Sequence, residues 1–348
     1  MRLQIPSFNS DFRRTIRGLT LGTIAIVIGH TFIPARAMAQ QPSEASGEEV
    51  IVNLAAGRVI IAVVKDAILI ATVENPVEAD THPPIPTPLV GRRVGIMLGA
   101  VDWFSVTSQQ TLARLDQDLS KIHARSIPQD PRLVQPQEGA EATDIQAIGM
   151  GVLERLNPVA AMLHNKMNLG TDEPLAELIL ADYIEGYGPE VWQGVFLVSQ
   201  ELQRGDYWAT RVLRPHFFQF YPPEKGQPRT LVEFRYPQDD KTPTLLDLLR
   251  AGDPRLVKIR EADPKLSQVA DLFLHGQSNK IPTADAIQFL RAALDATSPP
   301  NSRQTLSGLG ERTGFEWVLP PPRERVRPGT KPKRPEGAPT LVKPDPGP

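Results

Sequence analysis

Apolar residues in the first third of the chain fall in short β-branched runs bounded by turn residues, at 49–54, 58–64 and 67–73, and these predict three strands. Lys65-Asp66 supplies the tight turn of a hairpin between the second and third. Neither strand of that hairpin alternates cleanly between apolar and polar positions, so both of its faces are expected to be covered. A proline-rich connection, His82-Pro83-Pro84-Ile85-Pro86-Thr87-Pro88, leads to a further strand at 93–100. The period then changes: Leu112, Leu115, Leu119 and Ile122 recur at spacings of three and four and predict an amphipathic helix over 106–123. Residues 124–170, rich in Pro, Gln and Gly, read as an insertion around a helix at 144–156.

Thr171, followed by Asp172 and Glu173, has the form of a capped helix start, and Leu175, Leu178, Ile179 and Tyr183 carry the helical spacing on to Gly186. Strands are expected at 191–200, 207–221 and 229–236, with Gln203-Arg204-Gly205-Asp206 turning the first pair. Helical signals return over 241–300. Asp253-Pro254 and Asp263-Pro264 each place a capping Asp before a Pro at the first helical position, and 283–296 sets Ala286, Phe289, Leu290 and Ala293 on one face. Residues 301–348 read as a Pro-rich basic tail without order, and residues 40–54 as a leader and first strand before a core at 55–240.

The start of the chain follows none of these patterns. Arg2, Arg13, Arg14 and Arg17 precede an uncharged stretch at 18–33, and Ala37-Met38-Ala39 offers a small-residue cleavage site after Ala39. This is the layout of a signal peptide over 1–39. Its apolar stretch is shorter than the roughly 18 residues of a membrane span, so no stable span is expected after cleavage, an uncleaved anchor being the alternative. Arg13-Arg14 and the extra Arg36 resemble a twin-arginine signal, whereas Ile16 and Arg17 depart from the apolar pair expected after the arginines. The general and twin-arginine export routes therefore both stay open, and the protein is expected in the periplasm or outside the cell.

Export changes the charge picture. The whole chain of 348 residues has 38 Lys plus Arg against 40 Asp plus Glu; beyond residue 39 the balance is 33 against 39, or −6. The end of the chain, 318–348, holds seven basic residues, three acidic ones and ten of the 35 prolines, so it carries +4 and leaves 40–317 at −10. An acidic body excludes an electrostatic case for nucleic acid. Missing cysteine excludes disulfides, thiolate metal sites and a cysteine nucleophile.

Gly57-Arg58-Val59-Ile60-Ile61-Ala62-Val63-Val64-Lys65-Asp66-Ala67-Ile68-Leu69-Ile70-Ala71, then Arg93-Val94-Gly95-Ile96-Met97-Leu98-Gly99-Ala100 leading into a helix, resembles the opening of proteasome-type subunits. The run at 175–198, a helix passing through Tyr183 and Tyr187 into a strand with two strands after it, resembles a later part of the same N-terminal-nucleophile hydrolase fold. The resemblance spans about residues 55–236, matches 240–300 loosely, and rests on element order rather than on an invariant motif. It implies an α+β fold: a two-sheet αββα sandwich with a C-terminal helical extension. It also implies an absence. Those enzymes attack with an N-terminal Thr, Ser or Cys whose freed amine is the base. The position that opens the first strand is Gly57, and 47–71 contains no Ser, Thr or Cys. The acidic partner falls at about Val73, and no lysine lies between Lys65 and Lys121. The implied protein is a non-catalytic relative, comparable to the structural subunits of the proteasome.

Other chemistry is sparse. His82, His123, His164, His216 and His275 are far apart in sequence and lack metal-ligand spacing, so no metal and no other cofactor is expected. Gly149-Met150-Gly151 lacks the third glycine and the preceding strand of a dinucleotide site. Glu173 with Glu177, and Asp182 with Glu185, would share a helix face, which suits general acid–base work as well as a plain solvated face. The densest unusual patch, 204–236, holds eight of the 21 aromatics beside Arg211, Arg214, Arg229 and Arg235. Tyr207, Trp208, Arg211, Arg214, Phe218 and Tyr221 are its candidate binding residues, because aromatic and arginine side chains anchor interfaces. Core filling by alternating aromatics is the competing reading. The expected function is an exported, non-catalytic scaffold or binding protein of the cell envelope, working with a protein partner or a second copy, or meeting an acidic envelope polymer through its basic tail. An envelope hydrolase of peptide or glycan that uses carboxylates, and a ligand-binding module, are the alternatives.

Overall fold

The computed structural model describes residues 50–74, 81–105, 108, 110–126, 140–167, 173–184, 187–202, 208–223, 231–239 and 241–321. The chain divides into two compact units, the larger being 48–238 with 244–348. In the smaller, Asp239 accepts hydrogen bonds from the Lys241 backbone N–H and the Thr242 hydroxyl. The signal segment, and the tail beyond residue 321, lie outside the described residues.

The larger unit is a mixed α/β structure with two sheets. Its strands are β1 (Val50–Ala55), β2 (Gly57–Val63), β3 (Ala67–Glu74), β4 (Thr81–His82), β5 (Thr87–Pro88), β6 (Arg93–Ser105), β7 (Gln110–Arg114), β8 (Pro174–Ile184), β9 (Gly188–Leu202), β10 (Trp208–Val212), β11 (His216–Tyr221), β12 (Leu231–Tyr236), β13 (Gln304–Gly310) and β14 (Gly314–Leu319). Helices α1 (Leu115–Ser126), α2 (Ala140–Leu156) and α3 (Ala160–Met167) lie between β7 and β8. Helices α4 (Leu245–Ala251), α5 (Pro254–Ala262), α6 (Pro264–Leu274) and α7 (Thr283–Thr297) lie between β12 and β13. One sheet runs β10-β9-β8-β6-β1-β4, with β11 also on β9 and β5 and β7 also on β6; the other runs β12-β2-β3-β13-β14.

Three buried clusters explain why the strand sequences are apolar on both faces. Val59, Ile61, Ile68 and Ile70 of the smaller sheet share one with Val94, Ile96, Leu98, Ile179 and Ala181 of the larger. The intervening residues face the other way: Ile60, Ala62 and Leu69 meet Phe273, Phe289 and Leu290 of α6 and α7. On the far side, Leu115, Leu119, Ile148 and Val152 of α1 and α2 cover Leu178, Leu180 and Phe196. Each fully buried Leu, Ile or Phe contributes roughly 1.5–3 kcal/mol relative to exposure.

The hairpin at Lys65-Asp66 forms as expected, with the Val64 N–H on the Ala67 carbonyl at 2.9 Å. Both Asp-Pro signals start helices: Asp253 accepts from the Arg255 N–H and Asp263 from the Lys265 N–H. Thr244 and Asp247 add a capping box that opens α4, and Gly252 closes that helix at φ 68°, where glycine carries no Cβ penalty.

Four expectations are corrected. The helix expected from Thr171 to Gly186 is instead β8, a central strand paired with β6 and β9. Its apolar positions satisfy helical spacing only because nearly every position is apolar, and a strand covered on both faces has that composition. The helix expected over 106–123 begins at Leu115; before it, β7 pairs with β6, and Leu112 is 47% exposed on that edge rather than part of a helix face. The strand expected over 207–221 divides into β10 and β11 at Leu213-Arg214-Pro215, each antiparallel to a different half of β9. Finally, residues 304–319 of the tail expected from residue 301 are sheet: β13 inserts beside β3 over seven residue pairs and β14 pairs with β13.

Candidate functional site

Gly57 is the position on which the sequence reading turned. It is buried, directly follows β1 through Ala55-Ala56, and marks the step of the chain from the larger sheet to the smaller. Its φ of 142° lies outside the range that other residues adopt readily. In register it stands between Glu74 of β3 and Tyr236 of β12. Glu74 accepts two hydrogen bonds from the Arg303 guanidinium, whose Nε reaches one oxygen at 2.5 Å. The Tyr236 hydroxyl donates to the Pro174 carbonyl at 3.1 Å, and a Cβ on Gly99 would come within 3.0 Å of the Tyr236 ring. The space between the sheets at this end is thus filled by an aromatic ring. The backbone nitrogen of Gly57 belongs to a continuous chain that is paired on both sides of it.

The carboxylates proposed as pairs are placed differently by the strand. Glu173 precedes β8, Glu185 lies outside the described residues, and neither Glu177 nor Asp182 belongs to a helix face. Glu177 is 1% exposed and points between the sheets, where Gln193 donates to Oε2 at 2.7 Å and Gln238 to Oε1 at 2.8 Å. Burial pushes its pKa up, and the two amides pull the other way. Asp182 accepts from Arg93 Nε at 2.6 Å, and Arg93 Nη1 lies 3.2 Å from His123 Nε2. The Val90 N–H donates to His123 Nδ1 at 3.2 Å. Burial, reinforced by the Arg93 charge, lowers the His123 pKa to about 4, so this imidazole is neutral at pH 7. Among the described residues no group of three His, Asp or Glu is placed to hold a metal ion.

An opening of about 440 Å³ lies where α2 meets β9 and β11, lined by Ile145, Gln146, Trp192, Arg214, Pro215, His216 and Phe217. Two glycines make room for one of its lining rings: a Cβ on Gly149 would stand 2.7 Å from the Phe217 ring, and one on Gly194 only 2.5 Å. Gly151 performs the same service for Ile122 of α1, at 2.5 Å. Gly149-Met150-Gly151 is therefore a packing device that lets α2 approach the sheet and α1. Trp192 is oriented by its indole N–H, which donates to Glu190 at 2.8 Å, and Arg214 donates to Gln146 at 3.2 Å. Arg214 and His216 are exposed at the mouth.

Of the six candidate binding residues, Arg214 alone lines this groove among the described residues. Arg211 is exposed on β10 opposite Ser199, and Phe218 is half-buried on β11 opposite Gln193. Tyr221 joins the cluster between the sheets, as does Phe220, whose ring meets Phe234 edge-on at 4.9 Å. Trp208 is a backbone position at the start of β10, and Tyr207 lies outside the described residues. The aromatic run is thus divided between two faces. Trp192 and Phe217 are not legible as site residues in the sequence, because Trp192 and the glycines against Phe217 come from β9 and α2, distant along the chain from Phe217.

Comparison with protein-family models gives no match to this chain, and neither does comparison with curated protein sequences.

Proposed function

We propose that this chain is an exported, non-catalytic binding protein of the cell envelope, built on a proteasome-like αββα core, that holds a protein partner at the groove of Trp192, Arg214 and Phe217. The observation that carries the reading is Gly57. At the position where the resembled enzymes need a nucleophile with a free amine, the chain has no side chain, runs on into β1 without a break, and packs the Tyr236 ring nearby. The helix that the resemblance places within 175–198 is strand β8, and what supports the reading is layering: α1 and α2 cover one sheet, α6 and α7 cover the other, and the two sheets share an apolar cluster. The groove offers two half-buried aromatic surfaces with an exposed cation beside them, the composition of an interface anchor.

Light scattering on protein recovered from the envelope tests the binding role. The expected mass exceeds that of one chain, and Arg214→Glu together with Trp192→Ala lowers partner retention at least tenfold, as loss of an interface anchor does. A strict monomer with no bound partner overturns the scaffold reading, and turnover of a peptide or glycan by the purified chain overturns the non-catalytic one. The groove's volume also favours a second reading, a module for a small ligand with an apolar body and an anionic group. Saturable quenching of Trp192 fluorescence by such a compound, with the chain remaining monomeric, would select it.

A further inference from the structure

Trp192 and Gly194 alternate on β9 and share a face with Phe217 of β11, which stands opposite Gly194 in register. The absent side chain at Gly194 seats the phenyl ring, and Trp192 and Phe217 each present a half-buried aromatic surface. Ile145 and Pro215, both buried, complete an apolar bed. At about 440 Å³ the opening lies toward the lower end of the roughly 300–1,000 Å³ of ligand pockets, which is room for a few side chains of a short segment.

The unpaired polar groups around this bed are mostly donors. The side-chain oxygen of Gln146 accepts from Arg214 Nη2 at 3.2 Å, which leaves the Gln146 amide nitrogen and the rest of the Arg214 guanidinium without a partner among the described residues. The neighbouring acid, Glu190, takes the Trp192 indole N–H at 2.8 Å. Gln146, Arg214 and His216 are exposed, so an arriving group can reach them. A segment bringing a cation would meet the like charge of Arg214, and a purely apolar one would leave these donors unpaired. A carboxylate satisfies both.

We propose that the partner segment held in this groove carries an aspartate or glutamate beside an apolar residue, with its carboxylate on Arg214 and Gln146 and the apolar side chain on Trp192 and Phe217. The inference rests on the reading that a protein partner occupies the groove, and adds the chemistry by which that partner is chosen. A planar guanidinium offers a carboxylate two parallel N–H bonds, and the Gln146 amide adds a further donor. The aromatic bed supplies apolar contact to many segments alike, so the charge sets specificity.

Calorimetry of the full chain at pH 7 with two synthetic peptides tests this: acetyl-Pro-Leu-Glu-Leu-Pro-amide, and the same peptide with Gln in place of Glu. The Glu peptide is expected to bind about tenfold more tightly, as a charge-assisted bond does over a neutral one. Arg214→Met, a change at an exposed position, is expected to bring the two peptides to equal affinity, whereas Trp192→Ala weakens both alike. Equal affinities in wild type, an advantage for Glu that survives Arg214→Met, or no binding of either peptide at millimolar concentration overturns the acidic assignment. The groove itself is judged separately, by whether Trp192→Ala lowers retention of the partner from the envelope. Octanoate, which has a carboxylate and an apolar chain but no peptide backbone, is the third probe. Tighter binding of octanoate than of the Glu peptide, lost in Arg214→Met, selects the small ligand and overturns the partner segment.

Discussion

Strand β8 carries a buried carboxylate toward each end, on opposite faces, and the two are held in opposite ways. Asp182 faces α1 and has a guanidinium, Arg93, in contact on the neighbouring strand, with a neutral imidazole behind it. Glu177 faces the other sheet and has two amides and, among the described residues, no cation within 4 Å. The difference shows two solutions to the cost of burying an acid. Asp182 is matched by an opposite charge, a partner that is itself expensive to leave alone. Glu177 is pushed toward its protonated form, and then needs only hydrogen-bonding neighbours. One end of the strand therefore contains an electrostatic lock between β6, β8 and α1, and the other a polar tie between sheets.

Removing the lock has the largest expected effect. Asp182→Asn leaves Arg93 buried against a neutral partner and is expected to destabilise the protein by about 3–5 kcal/mol, measured by urea unfolding at pH 7. A loss below about 1 kcal/mol would mean that water replaces the carboxylate, and the two ends would no longer differ in kind.

The imidazole behind the lock gives the next effect. His123 has its pKa lowered to about 4 in the folded chain against 6.5 in the unfolded one, so the unfolded state takes up the proton first as pH falls. Its contribution is fully present above pH 6.5 and is lost progressively toward pH 4, by up to about 3 kcal/mol. His123→Leu should flatten that acid limb in a pH series of unfolding midpoints. An unchanged limb would place the acid sensitivity elsewhere.

Glu177 gives the smallest effect and the opposite sign. A carboxyl whose pKa is raised by folding stabilises most below its unfolded value, near 4.5, and loses that contribution as pH rises toward the folded value. Glu177→Gln cannot ionise, so its stability relative to wild type should increase with pH by about 1.4 kcal/mol per unit over that interval. A pH-independent difference between the two proteins would show that Glu177 is ionised in the fold, and that a charge partner compensates it.

The same strand shows how much of the molecule was legible beforehand. The hairpin of β2 and β3, both Asp-Pro helix starts and the long helix α7 are written in local signals: a two-residue turn, a capping acid before proline, an apolar stripe at helical spacing. Strand β8 was not legible, because Leu175, Leu178 and Ile179 fit a helix stripe as well as a strand buried on both faces, and short apolar runs do not distinguish the two. Hairpin β13–β14 was missed for a related reason. Gln304-Thr305-Leu306-Ser307-Gly308-Leu309-Gly310 is polar and glycine-rich, and becomes a strand because β3 offers it a partner edge. For the site, Arg214 was readable as an exposed cation in an aromatic run. The groove beside it was not, since the Phe217 ring that lines it is seated against Gly149 and Gly194 from two distant segments.

What the sequence determined by itself was what neighbouring residues settle among themselves: where turns and caps fall, that 47–71 carries no nucleophile, and how charge is divided between body and tail. What only the tertiary structure decided was which apolar runs became strands, which face each aromatic took, and which buried charges found partners. Those outcomes depend on contacts between segments distant along the chain, such as Arg58 with Arg235 and Ser298, or Glu177 with Gln238. The free energy that fixes them comes from burial and pairing that no single segment contains.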